Sequence, residues 1–116
     1  MTRRPPLTSH VLDTAIGRPA SGLGVGLDRL DADGSWITLA RTVTDEDGRA
    51  ADLMTGGELT VGTYRVTFDT GAYFEASHRP VFYPRVDVVF RVDDRAQHYH
   101  VPLLLSPFGY STYRGS

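Results

Sequence analysis

Apolar and polar residues alternate along most of this chain with the period of a β-strand. Tyr64, Val66 and Phe68 alternate with Arg65, Thr67 and Asp69, which predicts a half-buried strand over Thr63 to Asp69. Val86, Val88, Phe90 and Val92 share one face of a second such strand, Arg85 to Val92. Leu7 to Thr14 is apolar and β-branched without an internal breaker, and Gly17-Arg18-Pro19 then breaks it. Leu23, Val25 and Leu27 alternate with Gly22, Gly24 and Gly26, a strand with one nearly bare face that another backbone or a ligand can approach. Trp36 to Thr44 reads as a further strand. Ala50 to Gly62 is loop-like around Gly56-Gly57, with at most a short edge strand. Near the C-terminus come an apolar run at Leu103, Leu104 and Leu105, a turn at Ser106-Pro107, and alternating polar and aromatic residues. This predicts a hairpin of strands His98 to Leu105 and Phe108 to Arg114. A terminal strand so rich in tyrosine is expected inside a sheet, with the rest of the chain organised around it.

Only Gly71 to His78 reads as helix, two turns at most before Pro80. Asp31 to Gly34, Asp45 to Gly48 and Asp93-Asp94 carry turn chemistry. The tally is seven strands, or eight with the edge strand, and on the larger count the helix precedes the sixth. The predicted class is all-β, a sandwich or small barrel. Twelve glycines and seven prolines in 116 residues agree with so many turns. That length predicts one domain, residues 1–116, with 1–6 as a flexible arm.

Composition narrows the function. A formal net charge of −2 gives no basic field for nucleic acid or an anionic membrane. With no cysteine there is no disulfide, thiolate metal site or cysteine nucleophile. No apolar run approaches the ~20 residues of a membrane span. The first ten residues, M-T-R-R-P-P-L-T-S-H, lack the apolar core of a secretory signal, and the last three are not a peroxisomal S-K-L. The expected location is the cytoplasm.

Several patterns invite chemistry. Gly22-x-Gly24-x-Gly26 is no phosphate loop, because no helix follows it. Asp45, Glu46 and Asp47 do not supply the spread of ligands an EF-hand needs, so a solvated turn is expected. Of the four histidines, His10, His78, His98 and His100, the last two stand two apart and share a strand face. With His10 from another strand they can form a three-histidine zinc site; histidines so spaced are more often surface or packing residues. Arg49 follows the Asp47-Gly48 turn and is either solvated or aimed at an anionic or carbonyl-rich ligand. Arg114 is similarly placed, facing either a ligand or the chain's own C-terminal region. Tyr110 and Tyr113 are three apart, so only one of them lines a given pocket. Neither G-x-S-x-G nor H-E-x-x-H occurs. The residue pattern alone reaches a β-sandwich with a candidate histidine–arginine site.

Four motifs carry a resemblance across nearly the whole chain. They are L-T-S-H-V-L-D-T-A-x-G-R-P-A from Leu7 to Ala20, D-G-R at Asp47 to Arg49, H-V-P-L-L-L-S-P from His100, and the closing Y-R-G-S. In this order and spacing the chain resembles the 5-hydroxyisourate hydrolases, the transthyretin-like enzymes of purine breakdown. The resemblance implies a transthyretin-like β-sandwich assembling as a homotetramer, with active sites in a channel between dimers. It implies His10, Arg49 and His100 as catalytic residues that need no metal or cofactor. His10, Arg49, Tyr113, Arg114, Gly115 and Ser116 are implied to contact a small-molecule substrate. His98 belongs to none of the motifs. The hormone-carrying transthyretins share the fold but lack this histidine–arginine set and the Y-R-G-S ending. A binding protein without catalysis is the alternative reading.

Overall fold

In the computed structural model, residues 5–54 and 59–116 can be described. Nine strands and one helix follow in chain order: β1 (Leu7–Asp13), β2 (Arg18–Pro19), β3 (Gly24–Leu30), β4 (Trp36–Val43), β5 (Arg49–Ala50), β6 (Gly62–Phe68), α1 (Thr70–Ala76), β7 (Val86–Val92), β8 (Tyr99–Ser106) and β9 (Gly109–Thr112). The seven strands of four or more residues correspond to those expected from the sequence. Gly17-Arg18-Pro19 does more than break β1: the chain reverses there, and Arg18–Pro19 pairs back onto Asp13 and Leu12. The doubtful edge strand reduces to Arg49–Ala50, and Gly56-Gly57 lies outside the described residues, as does most of the expected N-terminal arm.

The strands form two sheets. One runs β4-β3-β6-β7, antiparallel throughout. The other runs β2-β1-β8-β9, with β5 sharing the outer edge of β1. At its centre β1 and β8 pair in parallel over their whole length, Leu7 opposite Tyr99 through Asp13 opposite Leu105. The tyrosine-bearing terminal strand is not inside a sheet. Four residues long, β9 pairs among the described residues with β8 alone and forms the sheet's edge.

The sandwich closes because each sheet buries one parity of side chains. Leu7, Val11, Leu103 and Leu105 of the first sheet meet Val25, Leu27, Val66 and Phe68 of the second in one apolar core. The opposite parity of β1 and β8, including Thr8, His10 and His100 but not the buried Pro102, is only half-buried and faces away from that core. Gly26 needs no ligand on its bare face, because the Arg41 guanidinium from β4 lies 2.7 Å from where a Cβ would stand.

Helix α1 is capped by Asp69, whose side chain accepts from the Ala72 N–H. It ends with His78 in a left-handed conformation at φ 56°, the form a chain takes on leaving a helix. This exit turns Arg79 back onto Asp13, a fully buried carboxylate of β1, at 2.6 Å. Tyr73 donates to the same carboxylate oxygen at 2.8 Å. Burial alone raises the Asp13 pKa, yet the bonds from Arg79 and Tyr73, the Arg79 charge and the Ala15 N–H outweigh it and hold the carboxyl below its ordinary value.

Candidate active site

The acidic turn before β5 is built by one of its own residues. The Asp45 carboxylate accepts from the backbone N–H groups of Asp47 at 2.9 Å and Arg49 at 3.0 Å. An aspartate bonding its own following backbone is a turn device, so the Asp45 carboxylate serves the turn itself. Gly48 sits at φ +76°, and a Cβ there would come 2.3 Å from the Val11 carbonyl. Only glycine lets this turn lie flat on β1, where the Val11 N–H donates to the Gly48 oxygen at 2.7 Å. Two consequences follow. The Asp47 carbonyl meets His10 Nε2 at 2.7 Å, and Arg49 pairs opposite His10.

The other half of the site comes from β8. In the parallel register Thr8 lies opposite His100, and the Thr8 hydroxyl meets His100 Nδ1 at 2.8 Å. The same hydroxyl lies 3.3 Å from His98 Nε2, and the two imidazoles lie nearly parallel with centroids 6.3 Å apart. The tail then folds across this face. Gly115 N–H donates to the His100 carbonyl at 2.8 Å, bridging the chain end to β8. Thr8, Arg49, His98, His100 and Ser116 line an open depression of about 250 Å³ on the outer face of the sheet.

Burial lowers the His100 pKa, and repulsion by charge on His98, His10 and Arg49 lowers it further, against the opposing hydrogen bond that the ring makes to the Thr8 backbone. The neutral form, in which an imidazole accepts a proton, is favoured at His100. The three histidines weighed as a zinc set do not converge. Among the described residues, no group of three His, Asp or Glu side chains is placed to hold a metal ion. His10 Nε2 is taken by the Asp47 carbonyl and His98 Nδ1 by the Pro5 carbonyl.

The expected site residues thus fall into two places. Arg49, His100 and Ser116 share the depression, with His10 beside Arg49. Tyr113 and Arg114 line a separate apolar groove of about 130 Å³ with Val88, Phe90 and Tyr99, and His100 is the wall common to both. The Arg114 guanidinium lies 4.3 Å over the Tyr99 ring and donates to Gln97 Oε1 at 2.8 Å, which ties the tail to β8. The sequence does not single out Thr8, and it offers His98 only as a candidate metal ligand outside the four motifs. The identical parity of His98 and His100 was the available signal, but nothing local marks Thr8.

A family model described as HIUase/Transthyretin family matches residues 7–115. The chain belongs to this family. Among HIUase/Transthyretin relatives, the 5-hydroxyisourate hydrolase of Mus musculus is 48% identical over 116 residues, covering 99% of this chain and 98% of the relative. The structure of Klebsiella pneumoniae 5-hydroxyisourate hydrolase superposes with a TM-score of 0.82 at 40% identity, over 95% of this chain and 98% of that one. The crystal structure of transthyretin from Sparus aurata superposes with a TM-score of 0.91 at 37% identity, over 97% of each chain. Both branches of the HIUase/Transthyretin family share this backbone, so side chains must separate them.

Proposed function

We infer that this protein hydrolyses 5-hydroxyisourate to 2-oxo-4-hydroxy-4-carboxy-5-ureidoimidazoline in urate degradation to allantoin. The observation that carries the reading is the placing of Arg49 and His100 on one depression, with His10 beside Arg49. In the proposed mechanism water adds to a ring carbonyl while an imidazole takes its proton. The Arg49 guanidinium stabilises the oxyanion that forms. Collapse of this intermediate re-forms the carbonyl as a carboxyl group and breaks the ring C–N bond. The imidazolium returns its proton to the leaving nitrogen, so one water is consumed and the histidine is regenerated. Ser116, Gly115, Arg114 and Tyr113 are the proposed substrate contacts of the tail, with Tyr113 positioning the ring. The scheme takes every proton from water or imidazole and calls on no metal or cofactor.

The proposed assembly is a homotetramer with its sites between dimers. Two features support it: the unpaired edge of β9, and exposed Phe82, Phe108, Tyr110 and Tyr113 around that edge. The cytoplasm is the proposed location. Among the described residues, no helix is long and apolar enough to cross a membrane.

Urate oxidase generating 5-hydroxyisourate in situ provides the test. The ultraviolet absorbance of the intermediate is expected to decay faster with this protein, before and after chelator treatment. Decay at the spontaneous rate would leave a ligand-binding transthyretin-like protein. Acceleration abolished by the chelator would restore a metal-dependent mechanism.

A further inference from the structure

One hydrogen-bonded line runs into the depression from the start of β1. It passes from the Pro5 carbonyl to His98, then to the Thr8 hydroxyl, then to His100. Its direction follows from the first member. A carbonyl can only accept, so His98 Nδ1 carries a proton. The Nε2 of a neutral His98 is then bare and accepts the hydroxyl hydrogen of Thr8 at 3.3 Å. A hydroxyl has one hydrogen, so Thr8 turns a lone pair to His100. His100 Nδ1, 2.8 Å away, must be the donor of that bond. Its Nε2 is left unprotonated.

His10 is arranged the opposite way. Its Nε2, the nitrogen at the tip of the ring, donates to the Asp47 carbonyl at 2.7 Å. Only Nδ1, next to its own backbone, is left as an acceptor. We propose that Thr8 and His98 are positioning residues that fix His100 as its Nδ1–H tautomer, making His100 Nε2 rather than His10 the general base. The assignment of the base rests on the hydrolase reading; the tautomer does not. A core histidine needs no such chain of three side groups anchored on a carbonyl. A general base does, because the wrong tautomer presents a proton where a lone pair is needed.

The test uses the full-length ¹⁵N-labelled protein at pH 8. Long-range ¹H–¹⁵N correlation spectra of the imidazoles are recorded beside kcat and KM for 5-hydroxyisourate. In the wild type, His100 is expected to show a protonated Nδ1 and a bare Nε2. Thr8→Val keeps the shape without the hydroxyl, and is expected to lose that signature. Its kcat is expected to fall by about 100-fold, the lower range for removing a proton-transfer group, with little change in KM. Thr8→Ser is expected to restore both. A wild-type His100 with protonated Nε2 overturns the proposal without any variant. So does a folded Thr8→Val protein with unchanged kcat. If the wild type shows no turnover, the base assignment falls with the hydrolase reading, and the spectrum still decides the tautomer.

Discussion

Gly115 lies against the ring of His100. A Cβ at position 115 would stand 2.5 Å from His100 Cδ2 and 3.2 Å from Cγ. The Gly115 N–H simultaneously donates to the His100 carbonyl at 2.8 Å, so the tail cannot lift without losing that bond. The glycine of Y-R-G-S is thus a packing requirement set by the imidazole.

Gly115→Ala is expected to displace either the His100 ring or the last residues of the tail. Displacing a catalytic group by about 1 Å can cost on the order of 100-fold in rate. The variant should therefore lose at least about 10-fold in kcat while its melting temperature stays close to the wild type's, since the site is at a half-buried tail. Steady-state kinetics with a thermal melt check both. Unchanged kcat would mean that the His100 ring has freedom to move aside.

Much of this architecture is legible along the chain, and the part that is not has a common cause. Residues such as Tyr64, Val66 and Phe68 announce their strand because burial of one face is a local pattern of period two. Gly48 and Asp45 announce their turn because the turn's bonds are made within it. The parallel pairing of β1 with β8 has no local signature, and it brings Thr8 within 2.8 Å of a residue 92 positions away. Thr8 is an ordinary strand threonine until that register is known. His98 and His100 were legible as one face, but their neighbour between nitrogens was not. The terminal tyrosines misled for a related reason. Tyr110 stacks edge-on against Tyr83 at 5.1 Å from the rim of the sheet, so aromatic content there marks an edge and not a centre.

With His100 as the proposed base, the acid side of the pH–rate profile is expected to report its titration. Burial and the neighbouring charges of His98, His10 and Arg49 lower its pKa below the ordinary ~6.5. The base is active when neutral, so kcat/KM should stay high as pH falls through 6.5 and drop only below it. A profile measured from pH 5 to 9 tests this, and an acid limb above 6.5 would remove His100 as the base. The same sign holds for folding. Protonating His100 costs more in the native state than in the unfolded chain, so its contribution weakens as pH drops below the unfolded value.

Arg49 separates function from fold. Its backbone is held by Asp45 through both N–H and carbonyl, while its side chain is exposed. Arg49→Ala should leave stability within about 0.5 kcal/mol of the wild type, as for most surface changes. Loss of one oxyanion donor should lower kcat by roughly 100- to 1,000-fold. Arg49→Lys retains charge without the planar fork of donors and is expected to recover only part of the rate. Full activity of the alanine variant, measured on the same substrate, would exclude the guanidinium from the mechanism.

Asp13 makes the complementary prediction, stability lost with the site chemistry intact. Its buried carboxylate receives Arg79 at 2.6 Å and Tyr73 at 2.8 Å, joining α1 and the segment after it to β1. Asp13→Ala strands the Arg79 guanidinium against the Tyr73 and Phe74 rings, at 5.5 and 4.9 Å, without its counter-ion. Breaking a buried pair from one side costs about 3–5 kcal/mol, enough to lower the melting temperature by many degrees in a domain of this size. Because the folded carboxyl titrates below its ordinary value, the wild-type contribution is complete above the unfolded pKa of about 3.9 and vanishes as pH falls through the folded one. Urea titrations of wild type and variant should thus differ fully at pH 7 and converge below about pH 4. A difference that persists undiminished at the lowest pH would assign the loss to packing around residue 13 in place of its charge.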